Sequence, residues 1–494
     1  MRRILIANRG EIALRVARAC REAGIESVAV YSDADAGALH TSVTDQAVRI
    51  GPAPPSESYL SIDAILAAAR ETGADAIHPG YGFLSENVAF ARACEEAGII
   101  FIGPPADAIE RMGSKIAARE IARHADVPVV PGYVPPDQTD SAVAGAAHIL
   151  GFPILLKPSA GGGGIGMKVV RDEATLLPAI AQARREAKAS FGDDTLYVER
   201  LVERPRHVEI QIMADAHGQV VHLFERECSI QRRHQKIVEE SPSVALTPAL
   251  RTRMGEAAVR VARTAGYRNA GTIEFLLEGT GDEAKFYFLE MNTRLQVEHP
   301  VTEGVTGVDL VRAQIAVASG QPLPWSQADL TQRGHAIEVR IYAEDPARDD
   351  LPQAGPLLLY REPVMPGVRV DAGVAEGGEI TVHYDPMIAK LIVSAETREA
   401  ARQRALAALR SYPILGIRTN VPFLIALLEH PRFVSGQLDT HFLEHEGATL
   451  RASLQFEPPE QVLAVLDRLV PAAARGEASD ANADPWGTLQ NVRI

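Results

Sequence analysis

A lysine leads into the most glycine-rich segment of the chain. Lys157 ends an apolar stretch, and five of the six residues 161–166 are glycines. The backbone N–H groups of such a loop can approach phosphate oxygens, because glycine has no Cβ and its φ is unrestricted. The spacing differs from a P-loop, where the lysine follows the glycines, and from a dinucleotide-binding loop, which opens a helix. Residues 167–170 read as a strand. We therefore predict a strand–glycine flap–strand hairpin that covers a nucleotide triphosphate, and a surface turn without a ligand is the alternative.

A row of polar side chains lies on a predicted strand at residues 285–294. With a period of two residues, Glu290, Asn292 and Arg294 share one face of this strand. Glu274 is a second acid within another apolar strand. Carboxylate and amide oxygens are the ligands that Mg²⁺ prefers, and buried acids need a cation. The pattern therefore favours a metal site that also holds substrate phosphates, while salt bridges on an exposed sheet face are the alternative.

Charged residues of both signs are concentrated in the segment 225–240. The composition fits a site that neutralises phosphate and a second small anion, with Lys236 as a point charge. It also fits a solvated surface face, and composition alone leaves both interpretations open.

The elements that must position these residues alternate between strand and helix over the first hundred residues. Strands at 4–7, 27–31, 76–78 and 99–102 are separated by helices at 11–23, 62–72 and 89–97, which predicts a parallel sheet with helices on both faces. The segment 80–87 follows a strand end, where open α/β sheets bind ligands, although an ordinary loop is an equal alternative. Further strands are predicted at 208–213, 220–225, 271–277, 286–291 and 336–342, followed by helices at 399–411 and 421–429.

The bulk composition excludes several classes of protein. With 494 residues, two to four domains are expected, and 46% hydrophobic residues are typical of a globular chain. A net charge of −14 argues against a general nucleic-acid binder, and we find no membrane-spanning run and no signal peptide. Three widely spaced cysteines form neither a metal motif nor a disulfide framework, which favours a reducing cytoplasm.

These features together resemble the ATP-grasp superfamily, and longer segments are similar to biotin carboxylase. The similarity runs almost continuously over residues 2–445, and several segments have ten residues or more. Other ATP-grasp enzymes such as carbamoyl-phosphate synthetase would share the glycine flap but not the segments 231–236 and 294–300. The matching segments are Ile6–Ala13, His78–Asn87, Pro205–Gln211, Glu227–Lys236 and Glu290–Glu303.

The resemblance implies a three-domain fold and a defined reaction. The implied domains are a parallel α/β domain at 1–114, an ATP-grasp domain at 115–330 with a lid at about 130–203, an α+β domain at 331–446 and an extension at 447–494. The implied reaction is carboxylation of biotin at its ureido N1 with ATP, bicarbonate and Mg²⁺ or Mn²⁺. Bicarbonate is expected to attack the γ-phosphate of ATP, and the resulting carboxyphosphate supplies CO₂ to the biotin enolate.

The resemblance also assigns residues to the nucleotide. Phosphate oxygens would be held by Lys115, Lys157 and the amides of Gly163 and Gly164, in keeping with charge that is spread over them in the transition state. Adenine contacts are expected from Glu199, Arg200, Leu201 and Val202, and ribose and phosphate contacts from His207, Gln231 and His234. The metal ligands would be Glu274 and Glu290, which also belong to the ATP site, together with Asn292.

The remaining assignments concern bicarbonate and biotin. The bicarbonate pocket would consist of Lys236, Arg294, Gln296 and the Val297 backbone, with Glu298 as the general base. Arg340 would stabilise negative charge on the biotin oxygen, and Tyr81 and Gly82 would lie near the biotin ring. The expected catalytic group is therefore Lys236, Arg294, Glu298 and Arg340.

The chain departs from the family in the glycine flap. Ile165 occupies a position where biotin carboxylases usually have lysine or arginine, and Ala160 replaces a glycine of some members. The missing cation removes a possible phosphate contact. We nevertheless predict that activity survives, because Lys115, Lys157 and Lys236 remain.

No biotin-attachment motif Ala-Met-Lys-Met is found, and no segment of carboxyltransferase length follows residue 445. We therefore expect a separate subunit of an acetyl-CoA or acyl-CoA carboxylase, in a homodimer, that meets a biotin carrier protein and a carboxyltransferase on other chains. A pyruvate carboxylase subunit, an inactive regulatory homologue and an ATP-grasp ligase with another acceptor are the alternatives. Residues 471–485 are predicted as a linker, and Trp486 beyond them as part of a docking peptide.

Overall fold

The computed structural model describes residues 1–159, 166–233 and 235–454. The linker and docking-peptide predictions at 471–494 lie outside these residues, as do Gly163, Gly164, Ile165 and His234 of the expected site. Within the described ranges, no helix combines the length and the apolar composition that are needed to cross a bilayer.

The N-terminal residues form the predicted parallel sheet, with strand order β3-β2-β1-β4-β5. The first strand shows why both faces are covered: Ile4 and Ile6 enter one hydrophobic core, and Leu5 and Ala7 enter another. The elements are β1 (Arg3–Ile6), α1 (Gly10–Glu22), β2 (Glu26–Ser32), α2 (Leu39–Val43), β3 (Gln46–Gly51), α3 (Ile62–Thr72), β4 (Ala76–His78), α4 (Val88–Glu96), β5 (Ile100–Phe101) and α5 (Ala106–Gly113).

A small four-stranded sheet of order β6-β9-β7-β8 carries the lysine of the glycine flap. Two helices pack on one face of this sheet and bury Val143, Ile180 and Val198 in a separate core. On the opposite face, Lys157 is paired with Tyr197 and Leu155 with Glu199. The elements are α6 (Lys115–His124), β6 (Gly132–Tyr133), α7 (Asp140–Leu150), β7 (Ile154–Pro158), β8 (Lys168–Val170), α8 (Leu176–Phe191) and β9 (Leu196–Arg200). The strand–flap–strand prediction is confirmed for the two strands that flank the glycines.

An antiparallel sheet of eight strands, in the order β14-β13-β10-β11-β12-β15-β22-β20, forms the centre of the molecule. Its first part is built from β10 (Arg206–Ala214), β11 (Val220–Arg232), β12 (Gln235–Ser241), α9 (Pro248–Thr264), β13 (Asn269–Glu278), β14 (Lys285–Asn292), α10 (His299–Thr306) and α11 (Leu310–Ala318).

The remaining elements extend this sheet and cover it. They are β15 (His335–Tyr342), β16 (Glu344–Asp345), β17 (Leu351–Pro352), β18 (Gly355–Pro356), β19 (Leu359–Tyr360), β20 (Val368–Ala372), β21 (Glu379–Ile380), β22 (Met387–Ala395), α12 (Arg398–Arg410), β23 (Ile414–Leu415), α13 (Val421–Glu429), α14 (Pro431–Val434) and α15 (Phe442–Ala452). The sheet is continuous where β12 pairs with β15, so it runs across the predicted domain boundary near residue 330.

The charged segment 225–240 forms the hairpin of β11 and β12. We predicted that the strand beginning at Val220 ends at Glu225, but it continues to Arg232 because the buried charges find partners on neighbouring strands. Glu225, Arg226 and Glu227 are all buried, so the interpretation as a solvated surface is wrong for them.

Candidate functional site

Three strands bring a row of acids together at the centre of the eight-stranded sheet. Glu209 of β10 lies opposite Glu274 of β13, which lies opposite Glu290 of β14. Residues directly opposite each other in an antiparallel sheet project from the same face. A register shift next to Glu274 places an extra residue near Leu289, so the predicted alternation of β14 is interrupted there while Glu290 and Asn292 remain on the acidic face.

Lys236 lies among these acids, and its side chain is 11% exposed. Its Nζ donates to Glu209 Oε2 at 2.5 Å, to Glu274 Oε1 at 2.9 Å and to Glu298 Oε1 at 2.5 Å. Burial alone would lower the pKa of Lys236, but these carboxylates raise the pKa well above its usual value. The lysine is therefore a fixed positive charge.

Glu298 links Lys236 to Arg340. The Glu298 Oε2 atom accepts from Arg340 Nη2 at 2.9 Å, and Arg340 Nε donates to Glu239 Oε1 at 2.6 Å. Burial would raise the pKa of Glu298, yet Lys236 and Arg340 hold it below its usual value. Glu298 is therefore an ionised carboxylate at neutral pH, which is the form that can accept a proton.

Arg294 and Gln296 complete this side of the site. Arg294 donates to Asn292 Oδ1 at 3.1 Å and to Glu86 Oε2 at 2.9 Å, and Gln296 Nε2 donates to Glu274 Oε1 at 3.0 Å. The predicted bicarbonate residues and the predicted metal ligands are thus neighbours in one hydrogen-bonded network.

The segment that follows β4 reaches the same region. The Tyr81 hydroxyl donates to Glu11 of α1, and its carbonyl oxygen accepts from Asn8 Nδ2 at 2.7 Å. A Cβ at Gly80 would lie 2.9 Å from Asn8 Nδ2 at a φ of +64°, so this turn requires glycine. Gly82 is exposed beside Tyr81, and Glu86 of the same segment holds Arg294.

The nucleotide-binding prediction concerns residues on the small sheet and on α6. Lys157 forms an ion pair with Glu199, and Glu199 Oε2 also accepts from Arg119 Nη1 at 3.1 Å. Lys115 is the first residue of α6, and its Ser114 N-cap accepts from Ala117 N at 3.3 Å. Burial lowers the pKa of Lys115, while nearby Glu290 opposes that shift. Lys115 therefore lies close to Lys157 and to Glu290 of the acidic row.

The remaining adenine and ribose candidates are held by different parts of the chain. Arg200 forms a bidentate pair with Glu278 at 2.9 Å, and Val202 is buried. The Leu201 amide donates to Pro153 O at 3.0 Å. Gln231 Nε2 donates to Cys228 O at 2.8 Å.

His207 enters the acidic row next to Glu209 and Glu274. Its Nε2 lies 3.2 Å from Glu274 Oε2 and 3.6 Å from Glu209 Oε2. Burial would lower the pKa of His207, but these carboxylates raise the pKa to about 9.

The acidic pair Glu274 and Glu290 fits a divalent metal ion. Burial and the adjacent Glu274 charge raise the pKa of Glu290, because two carboxylates close together repel each other and a cation between them would relieve the repulsion. Asn292 lies beside the pair: its Nδ2 donates to Glu274 Oε1 at 2.8 Å, and its Oδ1 accepts from Arg294. Carboxylate oxygens suit Mg²⁺ or Mn²⁺, and such an ion would neutralise charge on a bound phosphate chain.

Several residues of the network were missed by the sequence analysis. Arg226 is completely buried and donates to Glu209, Gln211, Thr272, Gln296 and Thr302. Glu209 stands in an apolar strand, as Glu274 does, and the same signal could have identified it. Glu239 and Arg226 lie in the charged segment 225–240, but that composition did not show which of its residues pair, and Glu86 and Arg119 have partners that are distant in the sequence.

Three family models match consecutive parts of the chain. The model for the biotin carboxylase N-terminal domain matches residues 1–109, that for the carbamoyl-phosphate synthase L chain ATP-binding domain matches residues 114–326, and that for the biotin carboxylase C-terminal domain matches residues 338–445.

Known proteins show the same similarity over most of the chain. A biotin carboxylase of Halalkalibacterium halodurans is 52% identical over 442 residues, which cover 90% of this chain and 97% of the relative. The mitochondrial methylcrotonoyl-CoA carboxylase subunit alpha of Rattus norvegicus is 50% identical over 442 residues, 89% of this chain but only 61% of that subunit.

A solved structure extends the similarity to three dimensions. It is the biotin carboxylase domain dimer of the Hydrogenobacter thermophilus 2-oxoglutarate carboxylase in complex with MgADP, ADP and bicarbonate. Its sequence identity is 45% and its TM-score is 0.86, and the match covers 91% of this chain and 98% of that one.

Proposed function

This chain belongs to the biotin carboxylase family of ATP-dependent ligases, and from that premise we propose that it carboxylates N1 of biotin on a separate carrier protein, using ATP and bicarbonate. One observation carries the proposal: the ionised carboxylate of Glu298 is held between Lys236 and Arg340. A base, an anion-binding ammonium and a guanidinium thus converge on one point.

The proposed first step is the activation of bicarbonate. Lys236, Arg294, Gln296 and the Val297 backbone bind the anion, and Glu298 removes its proton. The bicarbonate oxygen then attacks the γ-phosphorus of ATP, the bond to the β-phosphate oxygen breaks, and ADP and carboxyphosphate form. Lys115 and Lys157 hold phosphate oxygens, supported by the proximity of the two lysines to each other and of Lys115 to Glu290.

A divalent ion held by Glu274, Glu290 and Asn292 would neutralise charge on the phosphate oxygens. The other proposed nucleotide contacts are the segment Glu199 to Val202 for adenine, and His207, Gln231 and His234 for ribose and phosphate. Gly163 and Gly164 would donate their amides to the phosphate chain.

The proposed second step is carboxyl transfer. Carboxyphosphate breaks its C–O bond to give CO₂ and phosphate, and the phosphate takes the N1 proton of biotin. Arg340 stabilises the negative charge on the ureido oxygen, with Tyr81 and Gly82 beside the ring. N1 then forms a bond to the carbon of CO₂ and yields carboxybiotin.

We also propose the setting of this reaction. The domain limits are 1–114, 115–330, 331–446 and 447–494; the separate N-terminal sheet supports the first limit, whereas the eight-stranded sheet is continuous across the limit at 330. The partners are a biotin carrier protein and a carboxyltransferase on other chains, with a second copy of this chain in a homodimer. The carboxyltransferase selects the final acceptor, an acyl-CoA or pyruvate. Three free, buried cysteines support a cytoplasmic location.

The test is an ATP cleavage assay with free biotin as the acceptor. We expect ADP release that requires both bicarbonate and biotin, and transfer of labelled carbon from bicarbonate to biotin. Cleavage that ignores biotin but responds to another nucleophile would identify a ligase with a different acceptor. A chain that binds ATP without cleaving it under any of these conditions would be an inactive homologue.

A further inference from the structure

A fully buried lysine lies next to the site and has no role in the steps above. Lys390 of β22 is directly opposite Arg340 of β15 and Asp371 of β20. Its side chain has 0% exposure, although lysine is almost never fully buried unless it is paired. The ammonium of Lys390 must therefore be stabilised by groups that are close to it.

The Lys390 ammonium contacts three separate parts of the chain. Its Nζ donates to the carbonyl oxygen of Val297 at 2.7 Å and lies 3.2 Å from Glu11 Oε1 of α1. Asp371 Oδ2 lies 3.9 Å away. Burial would lower the pKa of Lys390, but Glu11, Glu338 and Asp371 raise the pKa above its usual value. The ammonium is therefore charged when it makes these contacts.

The contact with Val297 restrains the proposed base. The Val297 carbonyl belongs to the same planar peptide unit as the Glu298 amide, so holding the oxygen fixes the orientation of the Glu298 backbone. Val297 is also the backbone group of the proposed bicarbonate pocket. Lys390 thus fixes the point where the chain enters α10.

The contact with Glu11 reaches the proposed biotin pocket. Glu11 Oε1 accepts from the Tyr81 hydroxyl and also faces Lys390. One ammonium therefore joins the segment that binds bicarbonate to the tyrosine beside biotin, and these two segments belong to different parts of the fold.

We propose that Lys390 is a positioning residue that fixes the position of the Val297–Glu298 peptide relative to Tyr81. This inference rests on the proposed function, because it assigns Val297, Glu298 and Tyr81 to bicarbonate, base and biotin. The role requires the ammonium, since an apolar side chain of similar length fills the space but holds neither the carbonyl nor Glu11.

The test compares Lys390→Met with Arg398→Met in the full-length chain. Arg398, the first residue of α12, is a matched control because it donates to buried Glu240 of β12 at 2.6 Å and 3.0 Å and makes no contact with Val297 among the described residues. Hydrogen exchange measured by mass spectrometry follows the amides of residues 294–299. We expect exchange about 10-fold faster in Lys390→Met and unchanged in Arg398→Met. Equal exchange in wild type and Lys390→Met would overturn the proposal, whether or not the chain carboxylates biotin.

Kinetics provide the second measurement. In Lys390→Met, kcat is expected to fall about 10-fold to 100-fold, and the KM values for bicarbonate and biotin to rise by about fivefold, because the reacting groups lose alignment. The Kd for ADP should stay within about twofold of wild type, since no nucleotide residue is changed. A loss of kcat with both KM values unchanged, matched by Arg398→Met, would assign Lys390 a structural role alone.

If Lys390→Met fails to fold, Glu11→Gln tests the same contact from the other side. The glutamine keeps an oxygen for the Tyr81 hydroxyl but removes the charge that faces Lys390. We expect the KM for biotin to rise by about threefold while the KM for bicarbonate is unchanged, because Lys390 still holds Val297. An equal rise in both KM values, or in neither, would contradict the proposed division of contacts.

Discussion

The two halves of the site are built differently. On the eight-stranded sheet, Lys236 contacts three carboxylates, and Arg340 and Glu298 are each held by more than one partner. On the small sheet, Lys157 has one carboxylate partner among the described residues, Glu199, and the glycines that follow it lead to β8.

The two parts of the site are suited to different roles in the reaction. Charged groups that are already fixed can stabilise developing charge without reorganising at the moment of reaction. The small sheet has its own core, formed by residues such as Ile154 and Ile180, so its packing does not depend on the central sheet. The comparison predicts that changes to Lys236, Glu298 or Arg340 of the central network reduce the chemical step, whereas changes to Lys157 on the small sheet reduce nucleotide binding.

The largest effect is expected for Glu298→Gln. The amide keeps the shape of the side chain but cannot accept a proton, so the rate of biotin carboxylation should fall about 10²-fold to 10⁴-fold. Nucleotide binding should be unchanged, and exposed Glu120→Gln serves as the control. Comparable loss of ADP binding would show that the two halves are not separable in this way.

A smaller effect is expected for Lys157→Met. Loss of one charged contact with phosphate should raise the KM for ATP about 10-fold to 100-fold and leave the KM for bicarbonate unchanged. Lys168→Met is a matched control on the neighbouring strand, where Lys168 pairs with Glu186 at 2.8 Å. A rise in the bicarbonate KM alone would assign Lys157 to the other half of the site.

Glu239→Gln tests whether the partner of Arg340 titrates. Burial raises the pKa of Glu239 from 4.5 to about 7, even though Arg340 opposes the shift. The carboxylate that holds Arg340 therefore forms as the pH rises through about 7. In wild type, we expect kcat to rise as the pH rises through about 7. In Glu239→Gln, we expect kcat to be independent of pH near 7 and about 10-fold lower than in wild type at high pH. A rise that persists in the variant would belong to another group.

The same shift predicts the pH dependence of stability. Because the folded pKa lies above the unfolded value, protonated Glu239 contributes stability that is fully present below pH 4.5 and is lost as the pH rises through about 7. The Tm of Glu239→Gln relative to wild type should therefore increase between these two pH values. A constant difference in Tm would contradict the raised pKa.

The smallest effect is expected for Ile165→Arg. An added cation next to the flap glycines can gain one phosphate contact, so we predict a change in kcat/KM for ATP of less than about 10-fold. Wild-type activity near zero that Ile165→Arg restores would contradict the prediction that Lys115, Lys157 and Lys236 suffice.

Much of the fold was predictable from local patterns. The helix prediction at 62–72 is confirmed at both ends, where Ser61 accepts from Ala64 N and Gly73 adopts a φ of +64°. The strand Val220–Arg232 was predicted too short, because charges such as Arg226 interrupt its apolar pattern. These charged side chains are buried only because they form ion pairs with acids on the neighbouring strand.

The candidate site was predictable in part for the same reason. Glu274, Glu290 and Asn292 stand out within apolar strands, and the structure brings them together. The strand at His335 has an alternating pattern, yet all eight of its residues are buried. Alternation predicts one polar face, but it does not reveal whether that face meets solvent or, as here, the charges of a site.

By itself, the sequence determined the elements, the glycine flap and the residue types that can bind an anion, because side-chain periodicity and backbone sterics act over a few residues. Only the tertiary structure decided which charges pair. Lys390 and Val297 are separated by 93 positions, and Arg340 and Glu239 by 101. Whether a buried charge is held, shifted in pKa or left to act on a substrate depends on the partners that folding places within a few ångströms.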